Sequence, residues 1–294
     1  MYRLDKKRVK IAAISLPHYG PEIPDYLRAK SQEYLLEEAR VLIQTAGQQH
    51  VDFIVLPEMF GFAGIPESIV PMRFLAEVIP GKGKVFTFLQ NQAIRYHTHI
   101  VTSVLEKKDA RFFNCGILIN RKGQLIGKYH KVHPAPREDI TPGIDFPVFF
   151  TEGICCGILI CFDMNFPESA RCLALQGADI IFWPTMWGIP REDAYYDAVL
   201  RARAGENLCY IVSAALVRGP NVYTPESEIR GRTCIVSWNS EILSEVKYSG
   251  GIAIAEINLV EKRYLQAERK ELLGKYRHPD CYKIITSKKK DIKG

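Results

Sequence analysis

Two patterns of apolar and polar positions alternate along most of this 294-residue chain. Short runs rich in Val, Ile and aromatic residues are typical of buried strands, whereas apolar residues three and four positions apart are typical of one helix face. The strand pattern occurs in residues 9–16, 51–56, 100–105, 115–120, 154–161, 180–183, 210–215, 234–238 and 252–257. These nine segments predict a large β core.

Four segments between these strands show the helical pattern. The clearest has Leu35, Ala39, Leu42, Ile43 and Ala46 on one face and glutamates on the opposite face, which predicts an amphipathic helix. The other three cover residues 85–96, 167–176 and about 192–207. Because helices alternate with strands, we predict an α/β protein.

The chain lacks a Ser/Gly-rich linker, an acidic block and a long polar tract, so we predict one domain over residues 1–260. A composition of 47% hydrophobic and 24% charged residues is ordinary for a globular protein and excludes low-complexity classes. Residues 261–294 are rich in Lys, Arg and Tyr. We interpret them as a C-terminal extension, either at a subunit interface or as a partly mobile tail.

Charge and cysteine usage narrow the choice of partner and compartment. The net charge of +6 gives a non-enzyme alternative, a basic nucleic-acid or anionic-surface binder. Part of the charge comes from basic runs at the two ends, so we expect no nucleic-acid partner. The uncharged run 153–162 is far shorter than the roughly 20 residues that span a bilayer, so we expect no membrane partner. Eight cysteines, several in apolar segments, fit a reducing compartment, and we expect the protein in the cytoplasm.

A metal or redox site is a weaker alternative, suggested by His97, His99, His130 and His133 and by cysteines near residues 155–161. Zinc and redox sites commonly use Cys-x-x-Cys pairs or a His-Glu-x-x-His motif. The sequence contains neither motif, so we predict no metal site.

Three reactive side chains stand near the ends of predicted strands. Cys161 ends one strand shortly before Pro167, which favours the first helical turn. A thiol on such a turn is exposed near main-chain N–H groups, as a nucleophile requires. Glu58 directly follows another strand, and Lys131 follows a predicted turn at Gly127. Taken singly, the three residues are more typical of a core cysteine and two solvated loop residues than of a catalytic site.

Together the three residues resemble the Glu-Lys-Cys triad of the nitrilase superfamily, the carbon–nitrogen hydrolases. Leu56-Pro57-Glu58, Lys131-Val132-His133 and Cys161-Phe162-Asp163 look like the three motifs of that family. The resemblance covers nearly the whole chain. Supporting segments follow in the family's order: Asn114, Thr141-Pro142-Gly143, Phe166-Pro167-Glu168, Trp183-Pro184-Thr185 and residues 201–207.

Some positions depart from the family pattern. Asn165 stands where many members carry Arg, and Gly205 occupies a helical position that is usually bulkier. Neither belongs to the triad. Many members carry a second Glu after the Lys motif, and its nearest counterpart here is Glu138, with Asp139 adjacent.

The resemblance implies a four-layer α-β-β-α sandwich, with two sheets face to face and helices outside, and a homodimer or larger homo-oligomer. It implies that Glu58 acts as the base and that Cys161 forms a thioester. The Lys131 ammonium and the N–H of Phe162 would stabilise the oxyanion, and Glu138 would hold Lys131 or the substrate. This mechanism requires no metal or organic cofactor.

The residues after the nucleophile indicate the reaction class. Nitrilases tend to carry Cys-Trp-Glu, whereas Cys161-Phe162-Asp163 looks more like the amidase and N-carbamoyl amidohydrolase branches. We therefore predict hydrolysis of a linear amide or N-carbamoyl compound, with a nitrile as the alternative substrate. Trp187 is predicted to pack on the substrate or within the core or a subunit interface. Arg137 is predicted to pair with a substrate carboxylate or to be solvated.

Overall fold

A computed structural model describes residues 8–18, 31–61, 72–136, 138–186, 193–218, 231–247, 249–270 and 274–287. The strands in these ranges are β1 (Arg8–His18), β2 (Phe53–Val55), β3 (His99–Lys108), β4 (Arg111–Ile119), β5 (Leu125–His130), β6 (Val148–Thr151), β7 (Ile154–Ile158), β8 (Ile180–Thr185), β9 (Tyr210–Arg218), β10 (Arg232–Val236), β11 (Ile242–Lys247) and β12 (Gly251–Asn258). The helices are α1 (Ser31–Gly47), α2 (Met72–Leu75), α3 (Lys84–Tyr96), α4 (Pro167–Leu175), α5 (Asp193–Asn207), α6 (Leu259–Lys270) and α7 (Lys283–Thr286). Short 3-10 helices cover Cys161–Asn165 and Pro279–Tyr282.

The strands form two mixed sheets. The first has the order β5-β4-β3-β2-β1-β12, and the second has the order β6-β7-β8-β9-β10-β11. A short parallel pairing of Leu16–His18 in β1 with residues 216–218 in β9 joins the sheets at one end. Strands β1, β2 and β3 run parallel, as do β7, β8 and β9, so the carboxyl ends within each set share one sheet edge.

Three apolar cores separate four layers of secondary structure. The facing sides of the sheets enclose the central core, where the Phe53 and Phe182 ring centroids lie 5.2 Å apart. Helices α1 and α3 cover the outer side of the first sheet, and α4 and α5 cover the outer side of the second. The predicted α/β class and four-layer α-β-β-α sandwich are therefore confirmed.

Helix α1 follows the burial that its sequence pattern predicts. Ala39, Ile43 and Ala46 are fully buried, whereas Glu33 and Glu37 are exposed. Burial of one Ile side chain contributes about 1.5–3 kcal/mol relative to leaving it in water. The apolar stripe therefore fixes which face of the helix packs on the sheet.

All nine predicted strands are present, but β5, β6 and β11 were not predicted. Within the described residues, each of these three is an edge strand that pairs with a single neighbour. An edge strand remains partly in water, so its sequence need not be apolar. Two local expectations were wrong. Gly127 lies inside β5 rather than in a turn, and β7 ends at Ile158, so that Cys161 opens the 3-10 helix.

Helix α6 begins at Leu259 and continues past the predicted domain boundary at residue 260. The buried Lys262 ammonium donates to the Ala178 carbonyl and the Asp179 carboxylate, both at 2.9 Å, and Arg263 also binds Asp179. The division at residue 260 remains a prediction. None of the helices in the described ranges has the length and apolar character needed to cross a membrane.

Candidate active site

Glu58 lies just beyond β2, at the carboxyl end of the parallel strands. The turn is held because Thr102 Oγ1 donates to the Pro57 carbonyl at 2.7 Å and the Met59 N–H donates to Ser103 Oγ at 2.9 Å. Glu58 is 1% exposed. Its carboxylate therefore depends on protein donors instead of water.

Three donors surround the Glu58 carboxylate. Oε1 accepts Asn114 Nδ2 at 2.8 Å and Lys131 Nζ at 2.9 Å, and Oε2 accepts the Met186 N–H at 2.8 Å. Asn114 was recognised in the sequence only as a family marker, and the main chain of Met186 was given no role there. A polar Asn inside an apolar strand is a usable signal for a buried hydrogen bond. A main-chain donor has no signal in the sequence.

Lys131 follows β5 and is fully buried. Its N–H donates to the Asn114 carbonyl at 3.0 Å, and its carbonyl accepts the Gly143 N–H at 2.8 Å. A Cβ at Gly143 would lie 2.0 Å from the His130 carbonyl oxygen, so only glycine fits there. This close approach fixes the main chain on both sides of Lys131.

The Lys131 ammonium joins two carboxylates. Besides Glu58, it contacts both oxygens of Glu138 at 2.8 Å, and Glu138 Oε2 also accepts the Ala135 N–H at 2.7 Å. Burial opposes the ammonium charge, but nearby negative charges, that of Glu58 first, outweigh it and raise the pKa of Lys131. Burial and the Glu58 charge raise the pKa of Glu138, with Lys131 opposing them.

Cys161 lies on a strained turn after β7, with a φ of 42°. Its Sγ approaches the Met186 carbonyl at 3.7 Å, and Trp183 Nε1 donates to its carbonyl at 2.9 Å. Desolvation, followed by the Glu58 charge, raises the pKa of the Cys161 thiol to about 12, although Lys131 opposes this shift. The thiol therefore holds its proton at neutral pH.

The structure shows the surroundings of Phe162 and of the two positions that depart from the family pattern, Asn165 and Gly205. Phe162 belongs to the first turn of a 3-10 helix, where N–H groups lack helical acceptors. Asn165 replaces the usual Arg, and its Oδ1 accepts the Tyr195 hydroxyl at 3.0 Å. A Cβ at Gly205 would lie 2.3 Å from Ser240 Oγ, so a bulkier residue there requires the Ser240 side chain to turn away from its hydrogen bond to the Arg201 carbonyl.

The structure brings Glu58, Lys131, Cys161 and Glu138 together at one end of the sandwich. The main chain of Met186 connects two of them, since its N–H binds Glu58 and its carbonyl accepts Cys161 Sγ. The predicted substrate contacts Arg137 and Trp187 lie outside the described residues.

A second polar cluster lies on the outer side of the first sheet. Glu106, Cys115 and His130 place metal-ligand atoms within 4.8 Å of one another. The Glu106 carboxylate already pairs with the Lys128 ammonium, and its other oxygen lies 2.6 Å from His130 Nε2. A divalent cation would have to displace both partners, so this donor set favours an ion pair over a metal site.

Replacing Lys131 with Met is expected to destabilise the fold by about 3–5 kcal/mol, because it leaves the buried Glu58 and the half-buried Glu138 carboxylates without their shared cation. Burial and the Glu58 charge raise the pKa of Glu138, so this carboxyl is the first to be neutralised in acid and the loss should grow as the pH rises from about 4 to 7. Urea unfolding at several pH values measures it. Lys262→Met is the matched control, with a smaller loss because Asp179 keeps Arg263. Equal losses in the two variants would contradict the two-carboxylate arrangement.

Comparison with known proteins gives the family. The sequence matches the carbon-nitrogen hydrolase family over residues 10–265. It is 34% identical over 266 residues to a nitrilase of Pyrococcus abyssi, covering 87% of this chain and 92% of the relative. It is 31% identical over 219 residues to the 2-oxoglutaramate amidase of Bacillus subtilis, covering 72% of this chain and 80% of the relative.

Solved structures give the same fold. The crystal structure of a branch 10 member of the nitrilase superfamily from Saccharomyces cerevisiae superposes with a TM-score of 0.78, covering 90% of this chain and 96% of the other. The two sequences are 23% identical, so this likeness concerns the fold alone.

Proposed function

Because the chain belongs to the carbon–nitrogen hydrolase family, we propose that it cleaves a non-peptide C–N bond of a small linear amide or N-carbamoyl compound through a Cys161 thioester. The proposal rests on one observation: the Glu58 carboxylate, the Lys131 ammonium and the Cys161 thiol lie at one site. Glu58 Oε1 lies 2.9 Å from Lys131 Nζ, and both Glu58 and Cys161 hydrogen-bond to Met186.

The first step requires a base. A thiol with a pKa near 12 is protonated at neutral pH, and the thiolate is the nucleophile. Glu58 accepts the thiol proton as Cys161 Sγ bonds to the carbonyl carbon of the substrate. The carbonyl π electrons move to oxygen, which becomes an oxyanion.

Two donors stabilise the oxyanion in this mechanism, the main-chain N–H of Phe162 and the Lys131 ammonium. An ammonium has three N–H donors, and Lys131 Nζ contacts three oxygens, one of Glu58 and two of Glu138. Lys131 therefore reaches the oxyanion by giving up one contact with Glu138. Glu138 thus serves as a holder of the ammonium.

Collapse of the tetrahedral intermediate breaks the C–N bond. Protonated Glu58 donates its proton to the leaving nitrogen, which departs as ammonia or an amine and leaves a thioester on Cys161. Glu58 then removes a proton from a water molecule that attacks the thioester carbon. The acid product leaves as the thiol regains its proton, so one carboxylate serves both half-reactions.

The choice of an amide over a nitrile rests on two observations. Cys161-Phe162-Asp163 looks like the motif of the amidase and carbamoylase branches. One relative that covers 72% of this chain is a 2-oxoglutaramate amidase. Nitrile hydrolysis is the second candidate, since another relative is described as a nitrilase. Substrate contacts by Trp187 and Arg137 stay predictions.

A substrate panel tests the proposed function. We expect ammonia or amine release from at least one linear amide or N-carbamoyl compound, and slower or no turnover of the matching nitrile. The measurement is product release by the purified full-length chain across amides, N-carbamoyl amino acids and nitriles of equal length. Faster turnover of nitriles would overturn the choice of branch, and turnover of none would overturn the proposed function.

We further propose a cytoplasmic homodimer or larger homo-oligomer, with residues 261–294 at the subunit interface. Exposed large apolar side chains in this segment support the proposal. They are Tyr264, Tyr276, Tyr282, Ile284 and Ile285. Such side chains are favoured at interfaces between subunits.

A further inference from the structure

One buried carboxylate, that of Asp163, is shared by the two chain segments that meet at the site. Its Oδ2 accepts the Ile160 N–H at 2.9 Å and the Tyr129 hydroxyl at 2.7 Å. Its Oδ1 accepts the main-chain N–H of His133 at 3.0 Å and contacts His133 Nδ1 at 2.9 Å. Because the acceptor is a carboxylate, Nδ1 is assigned as the protonated ring nitrogen. Asp163 is fully buried, and these four donors take the place of water.

The partners of this carboxylate flank the two reactive groups. Tyr129 and His133 lie two residues before and two residues after Lys131, and Ile160 directly precedes Cys161. One side chain thus ties the end of β5, which carries the ammonium, to the turn that carries the thiol. A shift of either segment would lengthen at least two of the four hydrogen bonds.

The turn at Cys161 requires such support. Its φ of 42° lies in the left-handed region, which costs an L-residue about 1–2 kcal/mol. Asp163 closes the turn in both directions, since its N–H donates to the Ile160 carbonyl at 3.0 Å while its carboxylate accepts the Ile160 N–H. Trp183 holds the other side through the Cys161 carbonyl.

We propose that Asp163 is a positioning residue that fixes the Lys131 ammonium, the Cys161 thiol and the Phe162 N–H relative to one another. The proposal rests on the proposed function. Asp163 is fully buried and bonded to protein on both oxygens, so it acts through its neighbours instead of touching the substrate. Its loss therefore disturbs the reacting geometry and leaves the substrate pocket in place.

Asp163→Asn is the informative change, because it keeps the shape and removes one acceptor oxygen. All four partners are donors, whereas an amide offers one acceptor oxygen and one NH2 group. Whichever way the amide turns, the NH2 group faces the main-chain N–H of Ile160 or of His133, and a main-chain N–H cannot become an acceptor. At least one segment must therefore move away.

The expected result is a fall in kcat of about 10²-fold, the effect of roughly 1 Å of misplacement, with KM changed less than about threefold. Asp179→Asn is the matched control, because Asp179 is also buried and accepts from Lys262, Arg263 and the Cys155 N–H. It should lower the melting temperature and keep kcat. If both variants lose kcat equally, or if Asp163→Asn changes only KM, the positioning role is overturned.

A second readout does not require a known substrate. Peptide-resolved alkylation by iodoacetamide at neutral pH should label Cys161 several-fold faster in Asp163→Asn, because the turn opens, with exposed Cys172 as the internal reference. Tyr129→Phe removes one donor and serves if Asp163→Asn does not fold, with a smaller effect in the same direction. Labelling equal to wild type in every folded variant would overturn the proposal. A chain that hydrolyses no panel compound yet shows faster labelling would overturn only the proposed function.

Discussion

Cys161→Ala is expected to abolish hydrolysis, lowering kcat by at least about 10⁵-fold, as the removal of a catalytic nucleophile does in other hydrolases. Without Sγ the thioester cannot form, and water has no activated acyl group to attack. The fold should be retained, because alanine removes one atom from a site that is already partly exposed. The measurement is product release by wild type and variant at equal concentration with the best panel substrate.

Cys172→Ala is the matched control for this loss. Cys172 is an exposed thiol on α4, eleven residues after the candidate nucleophile. This variant should keep the wild-type rate and still be inactivated by iodoacetamide. Full activity of Cys161→Ala would overturn the assignment of Cys161 as the nucleophile. Loss of activity in Cys172→Ala would indicate that a thiol other than Cys161 is the nucleophile.

Glu58→Gln should lower kcat by about 10³–10⁴-fold, because general acid–base catalysis contributes about 10²–10⁴-fold and this carboxylate acts in both half-reactions. The same change should make the Cys161 thiol more reactive towards alkylation. The Glu58 charge raises the pKa of Cys161 and Lys131 lowers it, so removing that charge brings the pKa below about 12. A lower pKa means more thiolate at a given pH, and Cys161 alkylation between about pH 8 and 10 should become faster.

A second buried glutamate provides the control for Glu58→Gln. Glu106 is also 1% exposed and pairs with a lysine and a histidine on the same sheet. Glu106→Gln should therefore reproduce the loss of a buried carboxylate while keeping hydrolysis and the alkylation rate of Cys161. A parallel fall of both rates in Glu58→Gln would contradict its role as the base and indicate a damaged site.

The parts of the fold that bury apolar residues on both faces could be predicted from sequence. Strands such as β8 and β9 are continuous apolar runs because each packs against one apolar core on either face of the sheet. Edge strand β5 could not be predicted, because Lys128 and His130 interrupt its apolar pattern while they pair with Glu106 across the sheet.

Some residues of the site could likewise be predicted from local sequence, whereas others depend on long-range contacts. Glu58, Lys131 and Cys161 each follow a strand, so local sequence and the family motifs located them. The contact of Glu138 with Lys131 depends on how the intervening loop returns. Three of the four hydrogen bonds of Asp163 join segments about thirty residues apart, and such pairings appear only once the sheets have packed.

Met186 contributes to the site through its main chain alone, its N–H to Glu58 and its carbonyl to Cys161. Its side chain packs against the core on the outer side of the first sheet. Any residue except proline at this position keeps the main-chain N–H and carbonyl that make both of those bonds, while it changes the packing of the side chain against that core. Mutation at this position can therefore change the surroundings of the reacting groups while the main-chain link between Glu58 and Cys161 remains. Selection for new substrates can act here without removing that link.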